Sequence, residues 1–366
     1  MKHNAKNERI KRKYLIFLKE AKRQNEASID AVAKALSRFE EYTKHRDFKA
    51  FHFEQAVGFK KNLAKQKNKT TGKNLSKATL NTTLRHLKTF FQWLYQQAGF
   101  KSGFSYTDTE YFNLSEKETR IATAKRNKPV PTMEQIKRVI ESMPYKTDIE
   151  KRNRALIAFT LLTGARDSAI ASFKIKHIDC DAETVFQDAR DVKTKFSKTF
   201  TSNFFPVGND IKQIVTDWVQ YLTEELLFGN DDALFPKTQM IINRGRKFEA
   251  SGLLREHWSN ATPIRKIFKE AFIHAELPYF NPHSFRNTLV SLGQKRCRNP
   301  EEFKAWSQNL GHERVLTTLT SYGEILPQRQ TEIFQQLTNP RATNNQDQTS
   351  LAKAVVEEMR NQQMIS

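Results

Sequence analysis

Two arginines, two histidines and a tyrosine stand at intervals through the C-terminal two-thirds of this chain, each in a short motif. The motifs are Thr163-Gly164-Ala165-Arg166, Pro282-His283-Ser284-Phe285-Arg286, Leu310-Gly311-His312 and, ten residues on, Tyr322. A basic run, Lys193-Thr194-Lys195-Phe196-Ser197-Lys198, falls between the first two. These are the residue types that break a phosphodiester. Guanidiniums offer forked donors to phosphate oxygens, which lysine matches less well. A phenol is a nucleophile once a base and positive charge offset its pKa of about 10. His283 and Arg286 are three residues apart and so project from one side of a helix, and Asn281-Pro282 marks a helix start whose free N–H groups favour an anion. Singly, each motif has an ordinary explanation: a surface arginine, a core histidine, a loop glycine or a packed aromatic. Their joint order is what carries information.

Composition says what kind of partner such a set would meet. The chain has 366 residues, a formal net charge of +21 and 27 phenylalanines, enough for two domains with real cores. Residues 1–128 hold 29 Lys/Arg against 12 Asp/Glu, a balance of +17, and the remaining 238 residues carry only +4. Charge so concentrated favours a polyanion. The chain lacks an apolar span of about 20 residues and no signal peptide opens it, so nucleic acid is expected over a membrane. Cys180 and Cys297 are far apart with no CxxC company, and are expected as packed thiols in a reducing cytoplasm. The nine histidines show no metal-ligand spacing, so neither metal nor cofactor is expected.

Helices must position most of these groups. Ser28 could cap a helix with the apolar face Ile29, Val32, Leu36 and Phe39. Leu80, Leu84, Leu87, Phe91 and Leu94 define a second. Between them run Lys60, Lys61, Lys65, Lys67, Lys69, Lys73 and Lys77 with no acid, interrupted by Thr70-Thr71-Gly72. Alone this reads as a solvated loop; with the charge asymmetry it is expected to contact DNA phosphates. A linker follows at Ala124 to Pro131, where Lys125, Arg126 and Lys128 suit a phosphate backbone and proline disfavours helix. Thr132-Met133-Glu134-Gln135 has the form of a capping box that opens a new domain. Lys151 to Leu162 reads as a helix stopped by Gly164. Val185 to Ala189 and Asn203 to Val207 read as strands flanking the turn Lys193 to Lys198. Helical patterns return from Ile211 to about Gln336, Arg341 to Ser350 reads as loose, and Leu351 to Met364 as a short terminal helix.

Taken together, the motifs resemble the tyrosine recombinase (phage integrase) family over roughly 200 residues. The flanks carry the resemblance too: Leu161-Leu162 before the first motif, Pro282 before HxxR, Leu310 before GH, and Thr317-Thr318 between His312 and Tyr322. The basic helical N-terminal region is similar to the family's core-binding domain. Two departures stand out: Ala169 occupies a position where the family often has glutamate, and the interval from His312 to Tyr322 is one residue longer than usual.

The resemblance implies a mainly α protein. Residues 1–123 would be an all-helical core-binding domain, 124–131 a linker, 132–340 a mostly helical α+β catalytic domain with a small antiparallel sheet, and 341–366 a loose tail. It implies that Arg166 and Arg286 hold the scissile phosphate, that Tyr322 is the nucleophile, that His283 is the base and that His312 donates a hydrogen bond to the phosphate. A lysine of the hairpin turn would protonate the leaving oxygen; Lys195, with Lys195-x-x-Lys198 matching the family spacing, fits best and Lys193 is the alternative. The implied function is site-specific recombination or integration by a phage or other mobile element, in the cytoplasm and without cofactor. Two domains would clamp double-stranded DNA, with a homotetramer on DNA, a monomer or weak oligomer when free, and accessory DNA-bending or directionality proteins as further partners. The alternatives are a catalytically silent DNA-binding protein of the same fold and a type IB topoisomerase-like relaxing enzyme.

Overall fold

The computed structural model describes residues 3–68, 71–124, 129–242, 247–312 and 331. The chain divides into two compact units, Met1–Arg126 and Asn127–Ser366.

The first unit is helical: α1 Ala5–Ile16, α2 Glu26–Tyr42, α3 Phe53–Lys65, α4 Lys77–Tyr95 and α5 Glu116–Thr123. Its core is aromatic. Phe39, Phe51, Phe59, Phe91 and Phe112 are all buried, with Phe51 stacked on Phe91 at a centroid distance of 4.0 Å. The faces expected of α2 and α4 point inward: Val32, Leu36 and Phe39 on one, Leu80, Leu84, Leu87, Phe91 and Leu94 on the other. The start of α2 differs. Its cap is Asn25, whose side chain accepts the backbone N–H of Ser28, so the helix begins before its apolar stripe does.

The lysine-rich segment also differs from a single loop. Lys60, Lys61 and Lys65 lie on α3, and Lys77 opens α4. Between the helices a tight ribbon is closed by the bridge Lys67↔Asn74, with Gly72 at φ 67°. Lys69, Lys125, Arg126 and Lys128 lie outside the described residues.

In the second unit α6 is Met133–Ser142, α7 Asp148–Thr163, α8 Asp167–Ile170, α9 Asn209–Gln220, α10 Thr262–His274, α11 Pro282–Arg296 and α12 Pro300–Asn309. The capping box at Thr132 and Gln135 forms, and Thr147 with Glu150 makes a second at the head of α7. Helix α7 is buried from Ala155 to Thr163 and packs against α6, α9 and α11. An apolar helix surrounded this way becomes the axis of the core. Its end is abrupt: Gly164 takes φ 60°, a left-handed cap that turns the chain out toward Arg166.

Strands β1 Ile178–Asp179, β2 Thr184–Gln187 and β3 Phe200–Asn203 form an antiparallel sheet in that order, with Val185 opposite Ser202. The second hairpin strand thus precedes the expected Asn203 to Val207. Phe204 N–H still donates to Glu183 O at 2.8 Å, but Phe205 is buried and its N–H donates to Leu162 O at 2.7 Å, so from Phe205 the chain serves the core beside α7 rather than the ladder. A second hairpin, β4 Thr238–Ile242 with β5 Phe248–Leu253, interrupts the stretch expected to be helical. Ile242 and Phe248 there are 66% and 76% exposed, so their hydrophobicity does not report a buried face.

Candidate active site

The centre of the site is Arg286, on the first turns of α11 and 2% exposed. One Nη1–H donates to the carbonyl of Gly164 and one Nη2–H to that of Leu310. Nη2 also lies 3.0 Å from His312 Nε2. A guanidinium cannot accept, so Nε2 carries the lone pair and Nδ1 the hydrogen of the neutral ring. Arg286 therefore fastens together the two glycine turns that carry Arg166 and His312. Its Nε is buried with no partner among the described residues. A buried donor left unpaired is costly.

The turn bearing His312 is held from a second side. Asn309, the last residue of α12, uses its side-chain amide as a short strand: Oδ1 accepts Asn203 N–H at 2.6 Å and Nδ2 donates to Asn203 O at 2.9 Å. Ser202 Oγ donates to Asn309 O at 3.1 Å. Gly311 follows at φ 69°, and a Cβ there would sit 2.6 Å from the ring of Phe200. The hairpin thus sets the position of His312. Asn309 is a site residue that spacing does not reveal; its only sequence signal is its place before Leu310-Gly311-His312.

Arg166 is half-buried at the head of α8, and the next residue, Asp167, pairs with Arg265 Nε at 2.8 Å. Lys195 opens a single turn, Lys195–Ser197, in which Phe196 and Ser197 both have left-handed φ, 61° and 51°. Left-handed backbone costs a non-glycine residue roughly 1–2 kcal/mol, so the turn is imposed by its surroundings. Lys193 instead directs its Nζ to Ser259 O at 3.2 Å.

The electrostatics tie these groups into one neighbourhood. Burial, then the charges of Arg286, Arg166, His283 and Lys195, pull the His312 pKa down to about 3. His283 stands at the exposed start of α11. Desolvation by the protein around it, followed by the charges of Arg286 and Arg166, lowers its pKa, with Asp167 opposing and Lys195 adding to the effect. Both histidines are neutral near pH 7, the state required of a base. The structure thus brings Arg166, Lys195, His283, Arg286 and His312 together. Tyr322 lies outside the described residues.

The lysines of the first unit are not equivalent. Lys60 Nζ donates to Asn113 O at 2.9 Å and Lys77 pairs with Glu118 at 2.6 Å, so both are engaged within the unit. Lys61, Lys65, Lys67 and Lys73 are exposed. A second basic surface, unread from spacing, lies where α2 meets α4: Lys34 and Arg38 on one helix face Thr79, Thr82, Thr83 and His86 on the other. Its sequence signal is the four-residue step from Lys34 to Arg38 on the side of α2 away from Leu36. Among the described residues there is no cluster that could hold a metal and no helix long and apolar enough to cross a membrane.

A pattern drawn from the phage integrase family matches residues 130–329, and the chain belongs to that family of tyrosine-type site-specific recombinases. The chain is 23% identical over 252 residues to a tyrosine recombinase XerC of Lactobacillus delbrueckii subsp. bulgaricus, covering 68% of this chain and 72% of that protein. It is 22% identical over 271 residues to a XerC of Halalkalibacterium halodurans, covering 73% and 77%. Among solved structures, a lambda integrase dimer bound to a COC′ core site superposes with a TM-score of 0.57 at 13% identity, over 86% of this chain and 77% of that one. The Tn1549 transposon integrase in complex with a circular intermediate DNA gives 0.58 at 13% identity, over 90% and 99%. These structures share the fold: mostly helical, with small antiparallel sheets.

Proposed function

We propose that this protein recombines specific DNA sites for a phage or other mobile element, cutting and rejoining strands through a covalent 3′-phosphotyrosine at Tyr322. The observation that most supports this is the convergence of Arg166, Lys195, His283 and His312 around the buried guanidinium of Arg286. Arg166 and Arg286 receive the non-bridging oxygens as negative charge builds on phosphorus. Neutral His283 takes the phenol proton, and His312 donates from Nδ1 to the phosphate. The Tyr322 oxygen bonds to phosphorus as the bond to the 5′ oxygen breaks, and the ammonium of Lys195 protonates that oxygen. Lys195 is favoured over Lys193 because its charge reaches both histidines while Lys193 is directed at Ser259. The bond energy stays in the phosphotyrosine, so rejoining needs no cofactor.

Residues 1–123 serve as the DNA-binding domain, joined by the 124–131 linker to the catalytic domain at 132–340. Lys61, Lys65, Lys67 and Lys73, with Lys69, Lys125, Arg126 and Lys128, follow phosphates. The α2–α4 surface, with basic side chains beside small ones, suits a DNA groove. Four protomers act on two sites in the cytoplasm, and the free protein is a monomer or weak oligomer. The test is a two-site reaction in vitro: purified protein with two DNAs bearing the ends of its own element. Recombinant junctions of both strands are expected. Relaxation of supercoiled DNA without junctions would replace the recombinase reading with a topoisomerase-like one.

A further inference from the structure

Two polar anchors hold the segment that leads into the Lys195 turn, and neither belongs to the set of reacting groups. The first follows Arg166, with Ser168 on α8 and Ser172 on the turn that ends it. Lys193 N–H donates to Ser172 Oγ at 2.9 Å, and Lys193 O accepts from Ser168 Oγ at 3.3 Å. These serines are four residues apart, and together they grip both polar groups of a single residue. Ser172 is buried and spends its own hydrogen on the carbonyls of Ser168 and Ala169 at 3.2 and 3.0 Å, which leaves its lone pairs for Lys193.

The second anchor is Asp191, four residues before Lys195. Its Oδ1 lies 3.1 Å from Lys174 Nζ and its Oδ2 3.0 Å from Lys176 Nζ. Asp231 shares both lysines at 3.2 and 2.8 Å, so the four charges balance. His177 Nδ1 accepts Lys174 N–H at 2.9 Å, which turns its Nε2–H toward Asp191 Oδ2 at 3.5 Å. Beyond these anchors Thr194 Oγ1 donates to Lys198 O at 2.8 Å and closes the turn. Solvent-open ion pairs contribute little to stability, so what this arrangement fixes is position.

We propose that Ser172 and Asp191 are positioning residues for proton delivery, holding the Lys195 turn in register with Arg166. The inference rests on Lys195 being the general acid. A displacement of about 1 Å in a reacting group can cost on the order of a hundredfold in rate, so loss of either anchor should slow protonation of the leaving 5′ oxygen specifically.

The experiment compares single-turnover cleavage of normal DNA and of DNA with a 5′-bridging phosphorothiolate, whose sulfur departs without a proton. Ser172→Ala and Asp191→Asn should each slow the normal substrate about ten- to a hundredfold and leave the phosphorothiolate within about twofold of the unaltered protein, as expected when only proton delivery is displaced. A misfolded fraction lowers the reacted amplitude on both substrates and leaves the rate constants unchanged, so the rate constants read placement. Parallel slowing on both substrates, with Lys195→Ala still rescued by sulfur, would overturn the positioning role and leave the general acid standing. Failure of sulfur to rescue Lys195→Ala would overturn the general acid and this inference with it.

Discussion

A guanidinium that donates to two backbone carbonyls and a histidine is a fixed wall of the site, since its orientation no longer depends on substrate. Arg286 is in that position, with Gly164, Leu310 and His312 as its partners. Lysine keeps the charge but has no fork to span them. Arg286→Lys should therefore lose about 3–4 kcal/mol of transition-state stabilisation, read as a hundred- to a thousandfold fall in single-turnover cleavage. Cleavage within threefold of the unaltered protein would show that charge alone suffices. The histidines make a second prediction. A base must be neutral, and His283 has its pKa lowered by desolvation and by Arg286 and Arg166. Its contribution is complete above the ordinary histidine value and is lost as pH falls through the lowered one. The acid limb of the cleavage rate should lie below about 6.5 and vanish in His283→Ala. An acid limb centred above that value would contradict the assignment of His283.

At the scale of elements, the site depends on turns as much as on helices. Gly311 holds φ 69° beside the Phe200 ring, where a Cβ has no room. Gly311→Ala should destabilise the second unit by about 1–3 kcal/mol and slow cleavage, because His312 follows directly. Thermal unfolding checks the first part, and an unchanged midpoint would mean that Phe200 yields easily. The sequence makes some of this architecture legible and hides the rest for physical reasons. Apolar stripes on α2 and α4 are readable because burial and period coincide there. The true cap of α2 is hidden because Asn25 and Ser28 are both cap-competent and the stripe begins only at Ile29. The β4–β5 hairpin is hidden because its apolar residues face outward. Candidate reacting residues are legible because phosphoryl chemistry restricts their types. Their supports, Asn309 across 106 residues to Asn203 and Ser172 across 21 to Lys193, look like ordinary polar residues until the chain folds.

On the scale of the whole molecule, charge governs how the protein meets DNA. The first 128 residues carry +17, and among the described residues Lys61, Lys65, Lys67 and Lys73 are the exposed members of the lysine-rich segment. Replacing these four by glutamine should weaken binding to all sequences alike and reduce the slope of log K against log salt by about 0.9 for each phosphate no longer neutralised. An unchanged slope would return them to a solvated surface. Lys60 and Lys77, already engaged with Asn113 and Glu118, should change the slope less. The whole mechanism turns on the nucleophile. Incubation with a nicked suicide substrate, followed by denaturing electrophoresis and peptide mapping, should show a protein–DNA adduct joined at Tyr322. Tyr322→Phe should give none while binding the same DNA, because the substitution removes the phenol oxygen alone. An adduct in Tyr322→Phe, or one mapped to another residue, would contradict that mechanism.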